Sequence, residues 1–445
     1  MLKRTLLLGL ALLLSSSLVS AQEPFNVAVP VDELSTIFTQ LYGPGGLILD
    51  SLAELPGGGT HSAHYNSDFQ SQFTQFGVAL TSQLAAVPLP SPASGFTYEF
   101  DSELGVFQRS SQSFGPILTE RAETIGGGRF SFGFTFQNFT FDTIEGLDLS
   151  NVPAVFEHDA AFLGGGRIDV VTTSNAITAR VNQFTTFVSY GITDSVDLSL
   201  AIPIVSTDLT VVSTATIQRL GTSSNEIVHF YRQQGDTIGN QRSFTASGSA
   251  SGIGDLTIRL KGRMSSGSAV GLDIRMPTGD EKNLLGVGAP GIRPLLILSR
   301  SARAFSPHIN VGYLWNGSSV LAGNPETGES ADLPDQATYV IGADFGVSER
   351  FTFVIDILGN YLIDAPRLIT TEFRARDFAS GTPTSGITFP TVSFENQSYN
   401  LLSGAVGFKL NVFESLLIDM NILFNLDDNG LRDKITPLIG FEYAF

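Results

Sequence analysis

The sequence predicts an all-β protein: a transmembrane antiparallel up-and-down β-barrel of about 14 strands, within a range of 12–16, preceded by a small, partly helical N-terminal region. Three observations predict it. From about Gly95 onward apolar residues recur with a period of two, strand after strand, and the apolar face carries almost no charge. Only 15% of the 445 residues are charged, against about 25% in soluble domains, although 42% are hydrophobic. No run of 18 apolar residues follows the first two dozen positions, so membrane helices do not account for that low charge. Alternation does, because it hides lipid-facing residues from a window average. Thirty-four Phe against four Met and one Trp also favour strands over helices.

Residues 1–21 read as a cleaved signal peptide. Lys3 and Arg4 supply the charged start, Leu6 to Leu14 an apolar stretch too short to span a bilayer, and Val19-Ser20-Ala21 a small-residue cleavage site. Residues 22–95 differ from the rest. Val31 to Tyr42 and Asp68 to Leu84 have helical spacing (Phe69, Phe73, Phe76, Leu80, Leu84), with a Gly/Pro-rich stretch between them and Val87-Pro-Leu-Pro-Ser-Pro behind. This region is expected to be a luminal plug, a periplasmic extension or a plain leader.

Residues 96–445 are expected to form the barrel. Phe130, Phe132, Phe134 and Phe136 share one face, whereas Phe139 and Phe141 fall on the other phase, which predicts a β-bulge between them. Thr178 to Tyr190 and Val196 to Ile204 flank a turn at Thr193-Asp194-Ser195. Leu256, Ile258 and Leu260 alternate with charged residues, as do Val270, Leu272 and Ile274, and later runs repeat the pattern around Ile309, Ile341, Ile355, Val406 and Ile418. Short turns at Gly346–Arg350 and Val412–Ser415 suit periplasmic hairpins; Asn316–Pro334 and Phe378–Asn396 suit extracellular loops. The last strand, Ile435 to Phe445, resembles the C-terminal signature of bacterial outer-membrane barrels, and that resemblance implies that Phe445 is an assembly signal read by the barrel assembly machinery.

Charge and composition exclude several function classes. Without Lys3 and Arg4 the chain keeps 23 basic and 43 acidic residues, a net charge of −20, which disfavours nucleic-acid binding and suits loops and a lumen that tolerate cations. Zero Cys excludes disulfides, thiolate metal sites and a Cys nucleophile.

The segment Gly252-Ile-Gly-Asp-Leu-Thr-Ile-Arg-Leu-Lys-Gly-Arg263, followed by Leu272-Asp-Ile-Arg-Met-Pro-Thr-Gly-Asp280 and Leu285-Gly-Val-Gly288, resembles the MetA-pathway family of phenol degradation. Tyr190 to Pro203 and His308 to Tyr313 fit as well, so that the resemblance extends over about residues 180–445. It implies an outer-membrane barrel related to long-chain fatty-acid transporters, resident in the outer-membrane lipid and passing small hydrophobic solutes without a cofactor. A structural or adhesive barrel with a sealed lumen is the alternative.

Asp255, Arg259, Lys261, Arg263, Asp273 and Arg275 fall on the polar phase of adjacent strands, as do His308, Asp344, Asp356, Lys409 and Asp419 further on. Charges at this depth must point inward. They are expected to line the lumen, either as a constriction that orients a carboxylate or phenolate, or as an ion network that fills the space. Gly286-Val-Gly-Ala-Pro-Gly291 matches a dinucleotide fingerprint in letters alone, since no βαβ unit surrounds it. Gly126-Gly-Gly-Arg129 and Gly164-Gly-Gly-Arg167 read as turns. Asp280-Glu281 and the pair His61 and His64 lack the further ligands that a metal needs. Ser306 and His308 share a strand face but have no orienting third residue, so no catalytic site is expected.

Overall fold

The protein, as a computed structural model, is described over residues 26–43, 46–54, 65–66, 74–86, 98–101, 106–109, 112–158, 169–220, 227–301, 304–376, 383–413 and 415–444. Twelve strands close the barrel: β1 (Phe130–Phe141), β2 (Val170–Thr193), β3 (Val196–Gln218), β4 (Leu256–Ser265), β5 (Ser268–Met276), β6 (Gly291–Ser299), β7 (Phe305–Asn316), β8 (Gln336–Ser348), β9 (Phe351–Arg376), β10 (Pro383–Phe413), β11 (Leu416–Asn425) and β12 (Ile435–Ala444). Each pairs with its sequence neighbours, and β12 returns antiparallel to β1, with Leu438 opposite Gln137 and Ala444 opposite Ser131. Closure leaves the ring no open edge. Twelve is the low end of the expected range. The remaining alternating segments, such as Gln241–Ile253, pair with strand extensions above the ring instead of widening it. Among the described residues no helix is long and apolar enough to cross a membrane.

Connections at one end are tight, as between β2 and β3, β4 and β5, and β8 and β9, while those at the other are mostly long. Short turns mark the periplasmic end and long loops the extracellular one. Along β3 the outward residues Val196, Leu198, Leu200, Ile202 and Ile204 are apolar, and Asp197 and Ser199 point inward. From Ser206 upward this reverses: Ser206, Asp208 and Thr210 face out, and Leu209 and Val211 are buried inside. The neighbouring strands reverse at the same height. Phe136, Phe184 and Ile204 are register partners facing out, and one step higher their outward-facing places are taken by Asn138, Asn182 and Ser206, partners too. An Asn138–Asn182 side-chain hydrogen bond of 2.7 Å sits on that level.

This inversion replaces the expected bulge. β1 pairs with β2 from Phe130 to Phe141 without a register shift, so Phe139 and Phe141 point inward simply because their phase does. Lipid rewards an apolar exterior below the boundary; above it water takes the exterior, and apolar side chains gain only by facing in. Aromatic residues gather at both rims. Phe130 stacks near Tyr190 at 4.6 Å and Phe305 near Phe345 at 5.0 Å at the periplasmic rim, and Trp315 and Tyr361 are exposed at the other.

Above the boundary the inverted strands enclose an apolar core. The N-terminal elements fill it: Leu34, Ile37, Phe38 and Leu41, from the turn and short helix Ile37–Gln40, pack with Phe76 and Leu80 of helix Thr74–Ala86 against Phe139, Val181 and Leu209. Asn26–Pro30 adds a parallel strand to Gln241–Ile253, which itself pairs antiparallel with β3. Tyr42 lies edge-on to Phe156 and Phe244 at 5.2 and 5.1 Å, and its hydroxyl is 2.9 Å from Ser213 Oγ. The β9–β10 hairpin continues past a bulge near Asp364 (φ 51°), and Leu368 and Val392 join the same core. Residues 383–396 are therefore strand rather than the expected loop, with Val392 buried in this core and Phe394 packed against it.

Candidate functional site

Residues Gln112–Arg129 contain no strand and run inside the lumen. The backbone N–H of Phe114 donates to Thr352 Oγ1 at 2.9 Å near the foot of β9, and the Thr119 hydroxyl donates to Asp356 Oδ1 at 2.6 Å higher up the same strand. The chain then descends. Ala122 N–H reaches Ser299 Oγ at 2.9 Å, Ile125 N–H the Asp197 carboxylate at 3.2 Å, and Gly127 N–H Asp194 Oδ1 at 2.9 Å in the β2–β3 turn. Gly126 and Gly128 make the final turn at φ 95° and 76°, and a side chain at Gly191 would run into the carbonyl oxygen of Gly126. The roles of Gly126 and Gly128 are steric, as expected of a turn.

This plug is held by the charged residues that period-two alternation places inside. Asp197 opposes Lys261 across β3 and β4, and Arg259, Asp273 and Arg293 oppose one another across β4, β5 and β6. Arg259 grips Asp273 through two bonds of 2.6 and 2.8 Å, and Arg293 donates to the same carboxylate at 2.6 and 3.1 Å. The plug's Glu120 ties this ladder together, accepting from Arg259 Nη1 at 2.8 Å and Lys261 Nζ at 3.1 Å. Lys261 also donates to the carbonyl of Glu123 at 2.7 Å, and Asn310 clasps the Glu120 backbone from both sides. On the opposite wall Ile117 and Leu118 pack against Val354, Leu358, Leu423 and Leu438.

His308 joins Asp344 through Nε2, and its Nδ1 is 2.9 Å from Ser299 Oγ, the hydroxyl that receives the plug's Ala122 amide. The Ser that meets His308 is thus Ser299, not Ser306, and the trio anchors the plug. Lys409 Nζ lies 3.5 Å from Glu442, and Lys409 and Asp419 are register partners, both buried near the periplasmic end. Arg263 is half-buried at the same end and joins none of these side-chain contacts.

A second arrangement lies near the extracellular boundary. Asp255 accepts the amides of Gly279 at 3.0 Å and Val287 at 2.8 Å and so folds the β5–β6 connection back into the barrel. Thr278 bridges the clasp, donating to the Gly254 carbonyl at 2.7 Å and accepting from Leu256 N–H at 3.0 Å. Asp280 caps the one-turn helix Glu281–Asn283. Gly286 has no room for a side chain, since a Cβ would meet the Asp255 carboxylate. Arg275 lies 4.0 Å from Asp255 and donates to Asn316 Oδ1 at 2.6 Å. Beneath the clasp a cavity is lined by Arg275, Arg293, Asp255 and Asp273 together with Val205, Leu285 and Leu314.

Eight of the eleven inward-facing residues expected from the sequence are therefore brought together in three groups: Arg259, Lys261 and Asp273 with the plug; His308, Asp344 and Asp356 with its other edge; Asp255 and Arg275 at the clasp; Lys409, Asp419 and Arg263 join none of them. Sequence reading missed Glu120, Asp197, Ser299 and Arg293. Asp197 and Arg293 stand on strands at polar phase and were open to the same argument; Glu120 belongs to a segment without any period. His61, His64, Gly164–Arg167, the signal segment and Phe445 lie outside the described residues.

The solved structures similar to this chain include an outer-membrane channel of Pseudomonas putida F1 called COG4313 (12% identity, TM-score 0.44, covering 73% of this chain and 98% of that one). They also include the Ralstonia pickettii toluene transporter TbuX (12%, 0.32, 72% and 90%) and a Pseudomonas aeruginosa FadL homologue (10%, 0.31, 71% and 89%). No curated protein matches. The sequence family described as "Putative MetA-pathway of phenol degradation" matches residues 158–382, half of the chain, which contain the clasp and most of the ion ladder, and the protein belongs to that family.

Proposed function

We propose that the protein is an outer-membrane channel through which small hydrophobic or aromatic compounds enter passively, and that the plug is its periplasmic gate. The observation that carries this reading is the plug itself. A strand-free segment stoppers a lumen that is charged on one wall and apolar on the other, and a cavity stays open above it. Solutes would enter past the extracellular cap, occupy that cavity and leave when residues 112–129 shift. On the side of β4 the plug is held by hydrogen bonds and buried ion pairs, which it exchanges for water only by moving out of the lumen.

The packing of Ile117 and Leu118 against Val354 and Leu423 favours a second reading, a structural or adhesive barrel whose lumen stays sealed. A locked plug separates the two. The chain has no Cys, so Thr119→Cys with Asp356→Cys, whose native side chains touch, creates a single reducible tether. In vesicles with a lipopolysaccharide outer leaflet, which resists apolar solutes, the oxidised double variant is expected to lower entry of toluene and phenol to the rate of protein-free vesicles, and reduction to restore it. Flux indifferent to the tether would remove the gate, and wild-type flux no faster than that of protein-free vesicles would leave the sealed barrel.

The same reading includes the barrel assembly machinery as a partner of the last strand. Deleting Phe445 removes about 1.5–3 kcal/mol of apolar burial at most, which a barrel of this size can absorb. An insertion signal would instead show as periplasmic accumulation and degradation of the truncated chain; normal outer-membrane levels would rule the signal out.

A further inference from the structure

The cavity beneath the clasp has a chemical bias that a passage for plain hydrocarbons does not need. Its walls are half apolar, from Val205, Leu285, Val287 and Leu314, yet two guanidinium groups on adjacent strands, Arg275 and Arg293, also face it. Their acidic neighbours are already engaged. Both oxygens of Asp255 accept backbone amides, from Gly279 and Val287, and both oxygens of Asp273 accept from Arg259, with Arg293 donating twice more to Oδ2.

The donors are not exhausted. Arg275 uses Nε toward the Ala289 carbonyl at 3.4 Å and Nη2 toward Asn316, and Arg293 uses Nε and Nη2 toward Asp273. The Nη1 group of each has no partner among the described residues, and neither atom is buried without one, so each arginine keeps an accessible donor while lining the cavity. Beside the neutral Gln183 and Thr257, the charged hydrogen-bonding capacity left at the cavity is therefore cationic and donating, although the chain as a whole is strongly acidic. Arg293 also lines a second, lower cavity with Leu118 and Glu120 of the plug, so that it stands between the two spaces along the lumen.

We infer that this cavity is a binding station for small aromatic carboxylates, the ring lying against Leu285, Val287 and Leu314 and the carboxylate accepting from Arg275 and Arg293. Guanidinium groups suit this ligand because they present paired donors matched to the two oxygens, and an aromatic ring gives the apolar wall something to bury. The inference rests on the channel reading and narrows its substrate class.

The test compares three ligands of one shape, benzoate, benzamidine and toluene, by calorimetry on the full chain in detergent, with entry above the protein-free rate into lipopolysaccharide-coated vesicles measured alongside. Saturable one-to-one benzoate binding is expected, at least tenfold tighter than benzamidine, and tenfold weaker in Arg275→Gln and Arg293→Gln. Arg275→Lys, which keeps the charge but loses the fork, should also weaken benzoate where a Gln variant does not fold. Benzamidine bound as tightly as benzoate, no benzoate binding to wild-type protein, or benzoate binding untouched in these variants would each overturn the proposal. Toluene entry without benzoate binding sinks this inference alone, and entry of neither sinks the channel reading beneath it.

Discussion

Ile204 and Ser206 are two residues apart on one face of one strand, and between them the exterior changes from lipid-facing to water-facing. From Val196 to Ile204 the outward apolar run covers eight residue steps, about 26 Å along the strand; its nine residues are at the lower limit of the roughly 9–11 that a tilted transmembrane strand uses. The height of the boundary was legible in the sequence as the phase change between Phe136 and Phe139. Its cause was not, because a period-two pattern cannot distinguish a bulge from an unbroken strand that changes solvent. The consequence is measurable with one charge at two heights on β2. Val188→Arg, on the lipid-facing part, is expected to lower stability by about 2–4 kcal/mol, whereas Thr178→Arg, above the boundary, should change it by about 0–1 kcal/mol. Denaturant titration of refolding into lipid bilayers checks this, and equal costs at both sites would place Thr178 in the membrane as well.

Among the elements, the clasp was the most readable and the plug the least. Gly252–Asp255, Pro277–Asp280 and Leu285–Gly288 stand out as letters, and the fold explains them jointly: Asp255 needs the Gly279 and Val287 amides, Thr278 needs the Gly254 carbonyl, and Gly286 leaves space for the carboxylate. Residues 112–129 offered no such cue. They lack a helical or alternating period, and nothing local tells a luminal segment from an exposed loop, since its partners Arg259, Ser299 and Asn310 lie 139 to 190 positions away in the chain. That Arg259 and Lys261 face inward was legible from phase; that they hold Glu120 was not. For the clasp, Asp255→Ala strands two amides, at about 1–3 kcal/mol each if they stay buried. The β5–β6 connection should then open, and trypsin should cut after Lys282 in the purified protein at least tenfold faster than in wild type, with Asp255→Asn in between. Cleavage at the wild-type rate would mean that the connection is held by its contacts with the N-terminal elements, such as the Lys282–Glu33 pair at 3.0 Å.

For the whole molecule, the decisive feature is where the N-terminal elements sit relative to the ring. The sequence left residues 22–95 as luminal plug, periplasmic arm or leader, since helical spacing and a proline-rich tail describe a small packed unit without saying against what it packs. The described part packs on the extracellular side of the polarity boundary, with Tyr42 against Phe244 and Gln336 donating to the Ser82 carbonyl at 3.2 Å. The ring itself begins at Phe130 and ends with β12 at the periplasmic rim. With the short turns periplasmic, the N-terminal elements lie at the cell surface. Absence of native Cys makes this directly testable. A cysteine at Asp32, exposed on the N-terminal elements, should react with a membrane-impermeant maleimide on intact cells, while one at Glu349, exposed in the β8–β9 turn, should react only after the outer membrane is breached. The reverse pattern would turn the barrel over and make the N-terminal elements periplasmic. Labelling at both sites on intact cells would mean that the reagent crosses the barrel, and the Thr119–Asp356 tether then shows whether it passes the plug.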